Sequence, residues 1–226
     1  MIGLNCSCVK KLARESLARH NRAMIDFDKL TQELVSKHQP DLILLYGSFA
    51  RGEYTPKSDI DVVCFKDIQN VETDNRDFSG LYLDCWIKPL SELEKIEESI
   101  YLDGAKVLYD KNDIAPAFLE KVRERLESPP KPLSEQERQH LKAWTLKMLD
   151  RTYRGDIEAN FRRAWLVFEL LQTYYKWNGL WYRGSKLAFR ELKEKKPKIY
   201  KQFDKVLKNP TDSILIKQLV YKIFGL

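Results

Sequence analysis

The sequence predicts an α+β protein, with a small mixed sheet flanked by helices at the front and an all-helical bundle behind it. Three observations predict it. Apolar runs of strand length alternate with helical patterns as far as about residue 126. Pro129, Pro130 and Pro132 then crowd a stretch that cannot continue a helix. Beyond them every apolar pattern repeats at helical spacing. The boundary expected from this is 1–129 and 130–226, both within ordinary domain sizes.

Taken in order, residues 9–38 read as a helix. Leu12, Leu17, Met24, Phe27, Leu30 and Leu34 recur near helical spacing, and Pro40 ends the run. Asp41 to Tyr46 is a short apolar strand, and Gly47 to Lys57 is a loop punctuated by glycines and Pro56. Ile60 to Phe65 and Gly80 to Ile87 are the next strands. A helix is expected over 91–102, a strand over Ala105 to Asp110, and a helix from about Ile114 to Leu126. Ser134 with Glu137 three residues later has the form of a capping box and opens the first helix of the bundle. Ile157, Phe161, Ala164, Phe168, Leu171 and Tyr175 then alternate steps of four and three, the spacing of a helix. Another helix starts near Ser185, and Pro210-Thr211 opens the last.

A composition that is 43% hydrophobic and 12% aromatic supports an ordinary core. No apolar run approaches the roughly 20 residues of a membrane helix, and the first residues lack a signal-peptide core. A cytoplasmic protein is expected, with no membrane partner. Cys64 and Cys85 fall in strand-like runs and read as inert core thiols. Cys6 and Cys8 have no second ligand pair at zinc-finger spacing, so they read as part of a frayed terminus. Charge is uneven: residues 1–130 carry 18 Lys+Arg against 23 Asp+Glu, and residues 131–226 carry 21 against 10. That contrast suits a polyanion between the halves, and equally suits a Lys-rich helical surface.

The stretch "LLYGSFARGEYTPKSDIDVVCF", Leu44 to Phe65, places two acids where a strand begins. Alternate strand residues share a face. Asp59, Asp61 and Val63 therefore share one, with Ile60, Val62 and Cys64 on the core side. In "LYLDCWI", Leu83, Cys85 and Ile87 share a core face and leave Tyr82, Asp84 and Trp86 opposite. If the two strands pair, Asp84 joins Asp59 and Asp61. Three converging carboxylates repel one another unless a divalent cation offsets the charge. Hard oxygen ligands suit Mg²⁺, and two such ions about 4 Å apart clamp an in-line displacement at phosphorus. Gly47 and Ser48 supply a turn whose backbone N–H groups and hydroxyl can hold phosphate oxygens. Competing motifs fail. Gly47 and Gly52 have the spacing of a P-loop, but Glu53 and Tyr54 stand where its Lys and Ser/Thr belong. Neither HExxH nor G-x-S-x-G is present.

"GSFARGEYTPKSDID" resembles the signature of the DNA polymerase β-like nucleotidyltransferase superfamily, G-S-x-A-R-G-x5-S-D-I-D. It matches at Gly47, Ser48, Ala50, Arg51, Gly52, Ser58, Asp59, Ile60 and Asp61. "LYLDCW" is similar to the family's third-carboxylate strand. The form with Arg51-Gly52 is most like bacterial minimal nucleotidyltransferases and the antibiotic nucleotidyltransferases. The resemblance spans only Leu44 to Ile87; that of the helical half is vaguer and centres on "GLWYRGSK", Gly179 to Lys186.

The resemblance implies transfer of a nucleoside monophosphate, AMP being the expected one, from a nucleoside triphosphate to a hydroxyl of a small-molecule acceptor. Asp59, Asp61 and Asp84 would be catalytic and would hold Mg²⁺ or Mn²⁺, with Asp84 holding the second metal or taking the acceptor's proton. Gly47, Ser48, Arg51, Ser58 and Lys186 would bind the nucleotide. Tyr82 and Trp86 are available to stack on a ring, and the bundle would present Lys186, Trp181 and Tyr182 to the substrates. The rival reading is an antitoxin-like enzyme that modifies a protein partner. Its partners' Arg-x4-6-His motif is absent around His140, and the fit of Arg14 to His20 reads as chance. No RNA-binding module follows the motif, which argues against a nucleic-acid partner, and a homodimer is left open.

Overall fold

The computed structural model describes residues 25–226. Cys6, Cys8, Arg14, His20 and the front of the helix expected over 9–38 lie outside the described residues. The chain divides into two compact units. One holds the described residues up to Glu94 together with Gly104–Phe118, and the other holds Lys95–Asp103 together with Leu119–Leu226.

The first unit is built on a mixed sheet. Helix α1 (Phe27–His38) is followed by β1 (Leu42–Tyr46), one helical turn at Gly47–Ala50, and β2 (Ile60–Lys66). Two short strands, β3 (Glu72–Thr73) and β4 (Arg76–Phe78), precede the long β5 (Leu81–Pro89), and β6 is Lys106–Asp110. The strand order is β3-β5-β2-β1-β6, with β4 also paired to β5. Only β2 and β5 run parallel; β1 is antiparallel to both β2 and β6. The parallel pair needs a crossover connection, and β3 and β4 lie within it.

One sheet face packs on α1. Its core joins Leu30 and Leu34 with Ile43 and Leu45, Ile60, Val62 and Cys64, and Leu83, Cys85 and Ile87. These are the core residues that strand alternation predicts. The other face is covered as well, since Leu42, Leu44, Val63 and Phe65 are buried too. Phe118 meets Phe65 edge-on there, 6.1 Å between ring centres. Central strands covered on both faces read as continuous apolar runs, and "LILLY" and "VVCF" do so.

The segment expected to be one helix over 91–102 is two 3-10 pieces, Leu90–Glu94 and Ile96–Leu102. Helix α2 spans Ala115–Glu127, its residues as far as Phe118 counting with the first unit.

The second unit contains α3 (Glu135–Arg151), α4 (Ile157–Trp177), α5 (Ser185–Lys195), α6 (Pro197–Lys208) and α7 (Ser213–Phe224). The capping box is formed: Ser134 Oγ accepts from the Glu137 N–H, and Glu137 accepts from the Ser134 N–H at 2.8 Å. Leu166, Leu170, Tyr174, Phe203, Val206, Ile216 and Leu219 are central to its core. Arg183 bridges two carboxylates, Asp103 at 2.7 Å and Glu191 at 3.0 Å, which ties the early segment 95–103 to residues 80 positions later. Burial pushes the Tyr175 hydroxyl well above its usual range, and Glu191 adds to the effect. That hydroxyl donates to the Ala188 carbonyl.

The apolar stripe on α4 is only partly buried. Leu171 and Tyr175 are in the core, but Ile157 is 88% exposed, Phe161 72% and Phe168 67%. Ala159, Leu166, Val167, Leu170 and Tyr174 supply the buried face along with them. Among the described residues, no helix is long and apolar enough to cross a membrane.

Candidate active site

Strand β1 delivers the chain to Gly47, whose φ of +70° suits a residue without a side chain. The space confirms the need. A Cβ on Gly47 would lie 2.0 Å from Asp61 Oδ2. The glycine therefore lets the turn close down on an acid of the neighbouring strand. The turn is then folded on itself. The Arg51 N–H reaches the Gly47 carbonyl, and the Glu53 N–H donates to the Ser48 carbonyl at 2.9 Å. Phe49 anchors it, buried, with its ring stacked on Tyr54 at 4.4 Å and edge-on to Phe27 of α1.

Register sets the acids. In the antiparallel pair Asp61 lies across from Tyr46, the last residue of β1. In the parallel pair Asp61 lies beside Asp84. Both carboxylates are half-buried. Tyr82 and Trp86 flank Asp84 on the alternating positions of β5, 51% and 38% exposed. Asp59 is exposed, ahead of β2. Among the described residues, no group of three His, Cys, Asp or Glu side chains is placed to hold a metal ion. The strands thus bring Asp61 and Asp84 together, while the three-way convergence with Asp59 is not reached with the side chains as they stand. The paired donors are hard carboxylate oxygens, the type Mg²⁺ and Mn²⁺ take.

Ser48 is buried in the turn. Arg51 Nε donates to Glu53 at 2.9 Å, so its guanidinium helps to hold the loop. Ser58 Oγ accepts from the Thr55 N–H at 2.8 Å and closes the turn that leads into β2. Lys186 is not among the residues that β1, β2 and β5 assemble; it stands exposed in the first turn of α5, in the second unit. Trp181 donates to the Ser128 carbonyl and lies under the Arg125 guanidinium, and Tyr182 packs edge-on to Tyr175. Both rings are thus engaged in the packing of their own unit.

Sequence reasoning passed over one charged cluster, on the α1 side. Asp74 is buried and accepts from Lys37 and His38, each at 2.9 Å, with Arg76 at 3.5 Å. Burial pushes its carboxyl up, but the His38 and Lys37 hydrogen bonds outweigh this and hold it below the usual carboxylate range. No motif signals it, because its members come from the end of α1 and from the distant β3–β4 segment.

Residues 27–125 match the sequence profile of the nucleotidyltransferase domain family. No curated protein matches the chain. Among solved structures, a nucleotidyltransferase-like protein from Exiguobacterium sibiricum 255-15 is similar, at 13% identity and a TM-score of 0.44, over 86% of this chain and 74% of that one. The profile match runs from the start of α1 into α2, and so takes in the Gly47 turn and both Asp61 and Asp84.

Proposed function

We propose that the protein transfers a nucleoside monophosphate, AMP in the first instance, from a nucleoside triphosphate to a hydroxyl of a small-molecule acceptor in the cytoplasm. The observation that carries this is the register that sets Asp61 beside Asp84 next to the Gly47 turn, in a domain matched to nucleotidyltransferases. Asp61 and Asp84, with Asp59 at the strand entrance, are the residues that would hold Mg²⁺ or Mn²⁺. When bound, the metal offsets the carboxylate charge and polarises the phosphate. Backbone N–H groups of Gly47 and Ser48, with the Ser48 hydroxyl, hold the β- and γ-phosphates. Asp84 accepts the proton of the acceptor hydroxyl. The acceptor oxygen bonds to the α-phosphorus, the bond from that phosphorus to the bridging oxygen breaks, and pyrophosphate leaves with the electron pair. Arg51 and Ser58 act by fixing the loop and the turn that present these groups.

The test has two arms. Mg²⁺ with a non-hydrolysable ATP analogue raises the melting temperature of the wild type, as any ligand of the native state must. The Asp59→Asn, Asp61→Asn double variant folds and loses that gain. Transfer of α-phosphate label from each nucleoside triphosphate to a panel of hydroxylated small molecules then identifies the substrates, and Asp84→Asn abolishes it. A double variant that keeps the whole thermal shift removes these acids from the site.

A further inference from the structure

Half of the α4 stripe is exposed and apolar. Ile157, Phe161 and Phe168 stand in solvent together with Trp165, which is 41% exposed and braced edge-on against Trp144 of α3. Ala164 is exposed between them. At about 100° per residue these five side chains occupy one face of the helix. Given their exposures, they offer roughly 500 Å² of apolar surface, in the upper part of the range of the largest patch on a typical monomer, which is often functional. The spacing of 157, 161, 164 and 168, in steps of four, three and four, is that of a helix–helix seam.

We infer that this face pairs with the same face of a second copy of the chain, α4 lying antiparallel to α4 about a two-fold axis beside Ala164 and Trp165. Three features select that occupant. The first is area. Two copies of the patch bury roughly 1,000 Å² in all, the lower bound for a specific interface. The second is shape. The antiparallel register sets Phe161 of each copy against Phe168 of the other and Trp165 against the small Ala164, so large meets small at the axis. The third is charge. Arg162, which is paired with Glu158 of its own helix, and Glu169 flank the same side of the stripe, and in an antiparallel isologous pair like sides meet. Each Arg162 then faces the other copy's Glu169. Gln172, exposed one turn beyond Phe168, meets Ile157 of the other copy at the rim.

The full-length chain tests this in sedimentation across a range of protein concentrations. The wild type sediments at twice the 26.7 kDa chain mass. Phe161→Glu and Phe168→Glu each weaken association by about 30-fold or more, as loss of a central anchor does. Their melting temperatures as monomers stay near that of the dissociated wild type, because neither side chain is in the core. Register is read by oxidative cross-linking in a Cys6→Ser, Cys8→Ser background: Ala164→Cys forms an intermolecular disulfide and Asn160→Cys does not. A chain that is monomeric at every concentration overturns the proposal, whatever else covers the stripe. So does a dimer that survives both glutamates, or one that Ala164→Cys fails to link.

Discussion

Gly47 and Gly52 have the same φ of +70° and differ in what surrounds them. A Cβ on Gly52 meets nothing within 4 Å, whereas one on Gly47 strikes Asp61. The pair therefore separates backbone strain from contact. Gly52→Ala is expected to cost about 1 kcal/mol of stability through the left-handed backbone alone and to keep transfer activity. Gly47→Ala carries that strain and also displaces the Asp61 carboxylate, so nucleotidyl transfer is lost; denaturant melts and label transfer on both variants check the contrast. The Gly47 substitution acts by entering the space of an acid, a reason not visible in the sequence, where the glycine reads only as room for phosphate. A second residue-scale prediction concerns pH. The Asp74 carboxyl titrates lower in the folded chain than in the unfolded one. Its contribution is therefore complete above the unfolded value of about 4 and is lost as pH falls through the folded-state value. Asp74→Asn is expected to destabilise the protein by about 1–3 kcal/mol near neutral pH, with the difference from wild type closing in strong acid. Parallel melts across the acid range measure it.

At the scale of elements, much of the architecture was legible because period and punctuation are local. Strand alternation in "IDVVCF" and "LYLDCWI" correctly named the side chains that meet α1, and the parallel pairing of β2 with β5 follows the expected association of those strands. The Ser134–Glu137 box marked the start of α3 for the same reason: both partners lie within one turn. What failed was whatever depends on distant neighbours. The burial of Val63 and Phe65 needs a cover that their own strand does not encode. The exposure of Phe161 depends on which elements pack beside α4. A helical period says that a face is apolar and does not say which molecule covers it. The candidate site divides in the same way. The motif marked Gly47, Asp61 and Asp84 as neighbours, while the hydrogen bonds that make Arg51 and Ser58 fixtures of the loop became visible only in three dimensions.

For the whole molecule, the two units are interleaved in sequence: residues 95–103 and 119–128 count with the helical unit. A chain ending at Ser128 therefore keeps these segments and loses what they pack on, including Trp181 against Arg125 and Arg183 against Asp103. Its expected behaviour is a lower melting temperature by circular dichroism and loss of transfer. Full-rate transfer by the shortened chain would show the helical unit to be dispensable for the chemistry. The Asp103–Arg183 ion pair also orders events in time. A ribosome releases Asp103 long before its partner exists, and the second unit cannot complete its contacts until residue 183 has emerged. The strands β1 to β6, by contrast, are all available once Asp110 is out. Vectorial synthesis thus favours the sheet as the earlier folding unit, with Asp103 awaiting a long-range closure whose loop entropy slows the second step.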